Sequence, residues 1–474
     1  MRTSSLLAAG AILGLASALD NGLALAPQMG WNTWNSFACS MNETVILEAA
    51  ERIVSLGFKD LGYEYVVLDD CWSAGRNATG YLVPDPQKFP NGIADVADKI
   101  HAMGLKIGIY SSAGTMTCAR YSGSLGYEEK DAAVWASWGV DYLKYDNCYN
   151  EGEEGTPKLS FDRYNVMGKA LNATGRPILY SMCNWGVDGP WNFATTIANS
   201  WRTSGDLINV WDRADVNCPC SELDGIDCKL PGYHCSVMNV LNKAVYYPSK
   251  AYSGAWNDLD MLEVGNGGLT DDEAISHFSL WAALKSPLLM TNVMSKIDSA
   301  TLSILQNTAV LAVSQDPEAS SAVRIWRYYV NGGEIQMYSG PLSGGDQVVV
   351  LLNSSPTPRD MNATLTDIFW DDGAEGTASQ VQSAWDVYDL WAGRMSNGTA
   401  EGIIRGGSNA SRPIDMAKLG GAKKVYSQVP LPATKALMGE KVGTVKAGGT
   451  VKAHVQPHGV AMLRLREVKT NDEL

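Results

Sequence analysis

Short runs of β-branched and aromatic residues alternate with amphipathic stretches of helical length between about residues 24 and 310. Each run ends in polar residues, as the run at 65–68 does before Asp69 and Asp70. Strands that are joined by crossover helices form a parallel sheet, so this alternation predicts one. The clearest strand candidates are residues 65–68, 106–110, 141–145, 177–182 and 201–203, and the clearest helix candidates are residues 44–56, 93–103, 128–138 and 163–171.

Two parallel architectures fit this pattern. A doubly wound sheet usually carries a glycine-rich nucleotide-binding turn after its first strand. The first strand candidate, at about residues 28–31, is followed by Asn32 and Thr33 and has no such turn. Roughly 290 residues with up to eight strand–helix units therefore favour a (β/α)8 TIM barrel, in which functional side chains lie at the carboxyl ends of the strands. The residues at those ends are Asp69, Asp70, Asp146, Cys183 and Asp206.

The sequence pattern changes after about residue 311. Alternating strands follow one another without helices, and Gly-Gly, Asn-Gly and proline turns separate them. The strand candidates are residues 325–330, 335–338, 347–352, 384–390 and 460–465. This pattern predicts an antiparallel β-sandwich. The predicted organisation of the 474 residues is a signal peptide at 1–18, an N-terminal barrel at 19–310 and a C-terminal β-sandwich at 311–474.

The beginning of the chain predicts secretion. Arg2 precedes an apolar run at 6–16 that is too short to span a bilayer, and residues 16–18 fit a signal-peptide cleavage site. Nine cysteines, all in the first half of the chain, suit an oxidising compartment. The last four residues resemble an ER-retrieval signal with Asn471 in first place, but a chance acidic tail is favoured. Seven Asn-x-Ser/Thr glycosylation sites are Asn42, Asn77, Asn172, Asn353, Asn362, Asn397 and Asn409.

Composition and missing motifs exclude several classes of function. The chain has 51 acidic and 37 basic residues, a formal net charge of −14, which argues against a nucleic-acid partner. It has neither a G-x-S-x-G turn nor a phosphate-binding loop, and no later segment is long enough for a transmembrane helix. The five histidines are scattered and give no zinc-binding spacing.

Four cysteines lie close together in the chain, at Cys218, Cys220, Cys228 and Cys235. Such a cluster forms either a metal site or two disulfide bonds. In an oxidising compartment disulfide bonds are favoured. The expected pairs are Cys218–Cys235 and Cys220–Cys228.

Carboxylates at strand ends are the remaining candidates for chemistry. Glycoside hydrolysis uses two of them: one attacks C1 or activates water, and the other protonates the leaving oxygen. Asp146 follows a buried strand, and Lys144, two residues earlier on the same face, favours its ionised form. Asp206 is the second candidate. For each aspartate taken alone, a structural role in a helix cap or turn stays open.

Two further acidic positions lie beside aromatic residues. Asp69 and Asp70 precede Trp72. Paired aspartates bind a metal, share a proton or accept hydrogen bonds from two sugar hydroxyls, and the adjacent tryptophan favours the sugar. Asp260, in the segment 256–261, is a similar polar strand end near an aromatic residue.

These segments together resemble the melibiase-type α-galactosidases of glycoside hydrolase family twenty-seven, and most of all the secreted fungal members. The resemblance implies a (β/α)8 barrel followed by a C-terminal antiparallel β-domain. It also implies an exo-acting retaining hydrolase that forms a covalent galactosyl-enzyme and needs no metal or organic cofactor. The matching segments, in the order of the family, are residues 29–35, 68–72, 106–110, 142–148, 182–185, 201–206 and 256–261.

The resemblance also implies roles for individual residues. Asp146 takes the place of the nucleophile and Asp206 that of the acid/base. Asp69 and Asp70 take the places of the residues that hold the 6- and 4-hydroxyls of galactose, and Trp34 that of an aromatic wall. The other implied substrate-binding residues are Tyr110, Cys118, Lys144, Cys183, Trp185, Arg202, Asp260 and Met261. The implied disulfide bonds are Cys39–Cys71 and Cys118–Cys148, which leaves Cys183 unpaired.

The resemblance connects substrate specificity with three positions, Trp185, Asn184 and Asp70. Trp185 is bulky where an α-N-acetylgalactosaminidase of the family has small residues, so a 2-hydroxyl is expected to fit and an acetamide to clash. Asn184 departs from the glutamate often found beside Cys183, which leaves the finer hydrogen bonding open. Asp70 keeps the galactose pattern, whereas a β-L-arabinopyranosidase typically has a longer acid there. The expected substrates are melibiose, raffinose-type oligosaccharides and galactose side chains of galactomannan.

An alternative from another class is a galactose-binding lectin that has lost its chemistry. The presence of both candidate carboxylates, Asp146 and Asp206, argues against it. The C-terminal unit has no catalytic constellation. Its tryptophans form either a sugar-binding surface or part of the core, and the core is favoured. They are Trp326, Trp370, Trp385 and Trp391.

Overall fold

The structure, a computed structural model, describes residues 21–213, 218, 234–370, 378–406 and 412–469. The predicted signal peptide at 1–18, the C-terminal tetrapeptide, Cys220, Cys228 and Asn409 lie outside the described residues. Among the helices of the described ranges, none is both long and apolar enough to cross a membrane.

Eight parallel strands form the N-terminal unit. Strands that follow one another in this set are neighbours in space, and the last pairs with the first. The segment that follows the seventh strand contacts the eighth through a parallel bridge from Leu262 to Met290, which closes the barrel. The predicted (β/α)8 barrel is therefore confirmed. The strands are β1 Met29–Asn32, β2 Tyr65–Val67, β3 Lys106–Ser112, β4 Tyr142–Asp146, β5 Leu179–Cys183, β6 Ser200–Arg202, β7 Trp256–Asp258 and β8 Leu288–Met290.

The barrel strands are apolar on both faces because each face is covered. Tyr65 and Val67 point into the barrel, where they pack with Tyr142 and Leu179. Val66, between them, packs in the layer that the helices cover. This alternation within an unbroken apolar run is the pattern expected for a parallel strand that is buried on both sides.

Helices surround the barrel, and polar residues fix where they begin. Asn42, Thr156 and Ser236 each accept a hydrogen bond from a backbone N–H of the first turn of the helix that follows. The helices are α1 Glu43–Ser55, α2 Gly92–Ala102, α3 Glu128–Ser137, α4 Pro157–Ala173, α5 Val237–Ala244, α6 Asp271–Ala283, α7 Ser299–Leu305 and α8 Thr308–Ser314, besides a single turn at Trp34–Phe37.

The C-terminal unit is an antiparallel sandwich, as predicted. Its strands are β9 Val323–Val330, β10 Gly333–Pro341, β11 Gln347–Asn353, β12 Arg359–Thr364, β13 Trp385–Asp389, β14 Glu440–Val445, β15 Thr450–Val455 and β16 Val460–Glu467. Six of them form one sheet in the order β9-β10-β11-β16-β13-β14, and β12 pairs with β15 in a second sheet. Met337 and Leu463 pack between the sheets against Met361 and Val451. Its helices are Leu365–Ile368, Asn397–Ile404, Ala422–Tyr426 and Lys435–Met438.

The other face of the six-stranded sheet packs against the barrel. Tyr338, Val350 and Met462 belong to the same apolar cluster as the barrel helices. Helix α8 spans residue 310, and the first strand of the sandwich begins at Val323. A continuous core across the two units makes them one structural body.

The tryptophans of the C-terminal unit occupy different environments. Trp385 is buried in the sandwich core, and Trp326 packs at its edge. Trp391 lies between the units, where its Nε1 donates to Ser279 Oγ at 2.8 Å. The side chain of Trp370 is 62% exposed, so the expectation of core packing is wrong for this residue.

Three disulfide bonds are present among the described residues: Cys39–Cys71, Cys118–Cys148 and Cys218–Cys235. Cys183 is a free, buried thiol. Cys39–Cys71 joins the segment after β1 to the segment after β2, and Cys118–Cys148 joins the segment after β3 to the segment after β4. Cys235, the partner of Cys218, lies in a two-residue strand.

The described glycosylation sites differ in accessibility. Asn353 is fully buried, and its Nδ2 donates to the carbonyl oxygens of Thr357 and Gln456. A glycan there requires both bonds to be given up, so the glycan predicted at Asn353 conflicts with the fold. Sites with exposed or partly exposed side chains are Asn42, Asn77, Asn172, Asn362 and Asn397.

Candidate active site

A pocket of about 500 Å³ opens at the carboxyl ends of the barrel strands. The strands place its polar side chains: Asp146 ends β4 and Arg202 ends β6. Predicted residues that line the pocket are Trp34, Asp69, Tyr110, Cys118, Lys144, Asp146, Arg202, Asp206, Asp260 and Met261. Predicted residues outside its lining are Asp70, Cys183 and Trp185.

Asp146 is the more enclosed of the two predicted catalytic carboxylates. It is 6% exposed, and its Oδ2 accepts a hydrogen bond from the Tyr110 hydroxyl at 2.8 Å. Its Oδ1 accepts from the backbone N–H of Asn147 at 2.9 Å. These two donors fix the plane of the carboxylate, so one oxygen is held in place towards the pocket.

Opposing effects act on the charge of Asp146. The pKa of Asp146 is raised to about 7: burial raises it most, Lys144 lowers it and the neighbouring Asp206 raises it. The predicted effect of Lys144 therefore has the expected sign, but burial outweighs it. Asp146 and Asp206 both line this pocket.

Lys144 forms its ion pair with Asp69 rather than with Asp146. Its Nζ lies 2.7 Å from Asp69 Oδ2, and the amide of Asn32 donates to the same oxygen at 2.8 Å. Burial lowers the pKa of Lys144, but the surrounding carboxylates, Asp69 first, raise it well above its usual value. The result is a charged, hydrogen-bonded pair that presents donors and acceptors to a ligand.

Asp70 lies behind Asp69. Its Oδ1 accepts from the N–H of Cys71 at 2.7 Å, and its Oδ2 accepts from the N–H of Ala119 at 2.8 Å. Burial raises the pKa of Asp70 to about 6. Asp70 therefore joins the loop after β2 to the loop after β3, and any contact with a sugar has to use its remaining lone pairs.

Arg202 connects the acid/base candidate to Asp260. Its guanidinium lies 3.0 Å from Asp206 Oδ1 and 2.8 Å from Asp260 Oδ2. Asp260 Oδ2 also accepts from the N–H of Leu207 at 2.7 Å. The side chain of Asp206 is 36% exposed, whereas Asp260 is almost fully buried. Asp206 is therefore the carboxylate that a leaving group entering from solvent can reach.

The loop after β5 carries the residues predicted to meet the 2-substituent. Asn184 is buried, and its Nδ2 donates to the carbonyl oxygen of Val187 at 2.8 Å, so its amide serves the turn of the loop. Trp185 has a positive φ of 57°. The thiol of Cys183 lies 3.5 Å from the Arg202 guanidinium. Cys183 thus touches the site from behind the pocket wall.

Several lining residues are additional to the predicted set. Glu263 accepts from the amides of Asn35 and Asn266, both at 2.6 Å, and burial raises its pKa to about 7. Glu263 follows Asp260 by three residues, beyond the carboxyl end of a strand, and this position in the sequence could have predicted it as a site residue. The unpredicted lining residues are Asn35, Ala38, Leu207, Ile208, Asn209, His234, Glu263 and Asn266.

One group of possible metal ligands lies at the pocket, among the residues that the structure describes. It consists of Cys118, Asp146 and Cys148. Cys118 and Cys148 are joined in a disulfide bond, so neither can supply a thiolate. This group therefore does not provide a metal-binding donor set.

Comparison with known families now adds to this geometry. The family model described as Alpha galactosidase A matches residues 26–316, and the model of the Alpha galactosidase C-terminal beta sandwich domain matches residues 332–411. The chain belongs to the melibiase family of α-galactosidases. The family, the barrel-and-sandwich fold and the glycoside hydrolase class predicted from the sequence are confirmed.

Relatives match this α-galactosidase over nearly its whole length. An α-galactosidase of Lachancea cidri is 50% identical over 458 residues, 95% of this chain and 96% of the relative. A solved α-galactosidase of Saccharomyces cerevisiae is 48% identical, with a TM-score of 0.89 over 95% of this chain and 100% of the other. A second structure of a Saccharomyces cerevisiae α-galactosidase, with raffinose, has a TM-score of 0.87 at 48% identity and covers 94% of this chain and 99% of the other.

Proposed function

We propose that this α-galactosidase removes terminal α-D-galactosyl residues from the non-reducing ends of its substrates with net retention at C1. One observation carries the proposal: Asp146 and Asp206 line the same pocket and differ in environment, one enclosed and one open to solvent. A retaining glycosidase requires such a pair, a fixed nucleophile and an accessible proton donor.

The reaction proceeds in two displacements. An oxygen of Asp146 forms a bond to C1 while the glycosidic C–O bond breaks, and Asp206 gives its proton to the departing oxygen. Asp206 then takes a proton from water as the water oxygen attacks C1, and Asp146 leaves as a carboxylate. The product is galactose with its original α configuration.

The surroundings of each group fit its role. The Tyr110 hydroxyl and the Asn147 N–H hold the Asp146 carboxylate, which reduces the motion needed to reach C1. Lys144 and Asp69 offer both donors and acceptors to galactose hydroxyls. Trp34 gives an apolar face against which a sugar ring packs.

The proposed substrates are small α-galactosides, melibiose and raffinose-type sugars among them, and the galactose side chains of galactomannan. Support comes from the size of the pocket, about 500 Å³, and from the related yeast enzyme, whose structure was solved with raffinose. No nucleic-acid or membrane partner is part of the proposal. No cofactor takes part in either displacement.

Specificity for galactose over N-acetylgalactosamine is proposed to rest on the loop after β5, which carries the bulky Trp185 just outside the lining of the pocket. Comparison of an aryl α-galactoside with an aryl α-N-acetylgalactosaminide tests this, and a preference for the second contradicts it. The same assay with an aryl β-L-arabinopyranoside tests the proposed role of Asp70, for which we expect the α-galactoside to be the better substrate. A lectin without chemistry gives no aryl alcohol from any of the three.

We propose that the protein is a secreted glycoprotein. Support comes from the signal-peptide pattern at 1–18, the disulfide bonds and the exposed glycosylation sites. Retrieval to the ER through the last four residues is the alternative. Expression of the full chain with detection in the medium separates the two, because retrieval keeps the protein inside the cell.

The decisive test of the reaction is hydrolysis of melibiose and raffinose followed by NMR from the first seconds. We expect α-galactose as the first anomer, before mutarotation. Release of β-galactose first means inversion and excludes a covalent intermediate on Asp146.

A further inference from the structure

The acid/base candidate belongs to a short region that lies between the barrel and the sandwich. Asp206 and Leu207 pair in parallel with His234 and Cys235, and the N–H of Ile208 donates to the carbonyl oxygen of Cys235 at 2.8 Å. We define the acid/base region as residues 206–213 together with residues 234–242. The second part continues into α5, whose first turn is capped by Ser236.

The sandwich contacts this region first at Trp211. The ring of His458, in the turn between β15 and β16, stacks on the Trp211 indole with 5.8 Å between centroids and 21° between planes. His458 is itself fixed: its Nδ1 lies 2.7 Å from Glu273 Oε1, and its carbonyl oxygen accepts from Ser276 Oγ. Trp211 therefore packs against a sandwich residue that is itself hydrogen-bonded to the barrel helix α6.

The second contact is at Asn242, on the last turn of α5. Its Oδ1 accepts from the Arg324 guanidinium at 2.6 Å and from the Gln336 amide at 3.2 Å. Its Nδ2 donates to Glu334 Oε1 at 2.9 Å. All three partners lie on β9 and β10, and Glu334 also pairs with Arg327. One asparagine thus docks α5 onto the edge of the six-stranded sheet.

Hydrogen bonds within the region join these two contacts to each other. The N–H of Met238 donates to the carbonyl oxygen of Trp211 at 3.0 Å. The side-chain amide of Asn239 donates to the carbonyl oxygen of Arg213 at 3.1 Å. A shift at either contact therefore moves the strand that carries Asp206.

We propose that the C-terminal β-sandwich holds the general acid in place, with His458 and Asn242 as positioning residues. The inference rests on the proposed role of Asp206 as acid/base. A general acid has to lie within hydrogen-bond reach of the leaving oxygen, and a displacement of about 1 Å costs up to about a hundredfold in rate. Asp206 is partly exposed and needs such support more than the enclosed Asp146 does.

The test uses leaving-group dependence, which a loss of stability does not produce. His458→Ala and Asn242→Ala are assayed on melibiose, which needs protonation, and on a dinitrophenyl α-galactoside, which hardly does. We expect kcat/KM for melibiose to fall about tenfold or more and that for the aryl substrate less than about twofold. His458→Phe, which keeps a stacked ring, is expected to recover most of the melibiose rate.

Arg394→Ala is the matched control. Arg394 also joins the two units, through Asp271 at 2.7 Å, but it does not touch the acid/base region. We expect both substrates to react at the wild-type rate in this variant. A loss on melibiose like that of His458→Ala means that the effect comes from the interface in general and overturns the inference.

Asp206→Ala separates the proposed acid role of Asp206 from the proposed positioning roles of His458 and Asn242. If it loses the same factor on both substrates, the proposed acid role is wrong. If the loss of kcat/KM in Asp206→Ala depends on the leaving group, the acid role stands. If the loss in folded His458→Ala and Asn242→Ala then does not depend on it, the positioning inference is wrong. Circular dichroism confirms folding; if His458→Ala fails to fold, Asn242→Ala, which keeps the ring contact, decides alone.

Discussion

At the scale of single residues, the site depends on charges that burial makes costly. Asp146, Asp69 and Asp260 are nearly enclosed, and each has a specific partner: Tyr110, Lys144 and Arg202 in turn. A buried carboxylate without such a partner destabilises the native state. The three partners therefore stabilise the fold and also hold the carboxylates of the site in position.

Asp146→Asn is expected to lower kcat by at least about a thousandfold, because an amide cannot form the galactosyl ester. The Tyr110 hydroxyl can still donate to the amide oxygen, so the fold is retained. Steady-state kinetics on aryl α-galactoside and a thermal melt test this. Wild-type turnover in a folded variant contradicts the assignment of the nucleophile.

His277 predicts a pH dependence of stability. Burial lowers the pKa of His277 to about 3, and its Nε2 accepts from the N–H of Glu263 at 3.1 Å. The unfolded side chain titrates near about 6.5. Between these values only the unfolded chain binds the proton, so stability falls as the pH falls from about 6.5 towards 3, by at most about 1.4 kcal/mol per pH unit.

The matched variant is His277→Gln, which keeps an acceptor and does not titrate. Denaturant unfolding from pH 7 to pH 4 is expected to show a shallower loss of stability in the variant than in the wild type. Parallel curves mean that His277 takes no part in the acid sensitivity.

Sequence reasoning worked best for residues placed by strand geometry. Asp69 follows a buried strand, Lys144 lies within one, and Asp146 and Arg202 each end one; all four line the pocket. It worked less well where a loop sets the direction of a side chain. Asp70 is adjacent to Asp69, yet the loop turns through a positive φ of 75° at Cys71, and Asp70 faces backbone amides. Such turns leave no periodic signal in the sequence.

At the scale of elements, burial decides what the sequence reveals. Strand β11 is buried and apolar, and β16 is buried along its middle and apolar as far as Leu463. The predicted strands at 347–352 and 460–465 overlap them. Strand β14 is almost wholly exposed, and β12 alternates with exposed polar residues, so neither has an apolar run to mark it. Helix α4 begins earlier than predicted because its first turn is polar, although Thr156 and Pro157 mark the start.

The Cys118–Cys148 bond ties the loop after β3 to the loop after β4, next to Asp146. Cys118→Ser/Cys148→Ser is expected to lose about 3–4 kcal/mol of stability, because the bond restricts the unfolded chain across 30 residues. We also expect a higher KM, since Cys118 lines the pocket. Denaturant unfolding and kinetics measure the two effects. Unchanged unfolding midpoints refute the first.

At the scale of the whole molecule, buried charges join the two units. Arg464, on β16, is fully buried 2.9 Å from Asp346, and its guanidinium lies 3.9 Å from Asp316, which follows α8. Lys285 on the barrel side donates to the carbonyl oxygen of Asp316, and burial lowers its pKa to about 8. The two units therefore share one compensated cluster of charges.

Asp346→Asn removes a charge from this cluster and leaves Arg464 buried without its main partner. We expect the free energy of unfolding to fall by about 3–5 kcal/mol, because a buried charge loses its partner. We also expect a single unfolding transition that includes both units, because the core is continuous. Calorimetry measures both quantities. The exposed pair of Asp415 with Lys418 provides a comparison, Asp415→Asn, with little effect expected. Two separate transitions in Asp346→Asn contradict the joint core.

The paired ends of the acid/base region have a consequence for engineering. The Cys218–Cys235 bond and the pairing of Leu207 with Cys235 fix Cys218 beside the strand pair that carries Asp206. Reduction of this bond is therefore expected to slow the hydrolysis of melibiose more than that of an activated aryl galactoside, so an engineered variant should keep both cysteines.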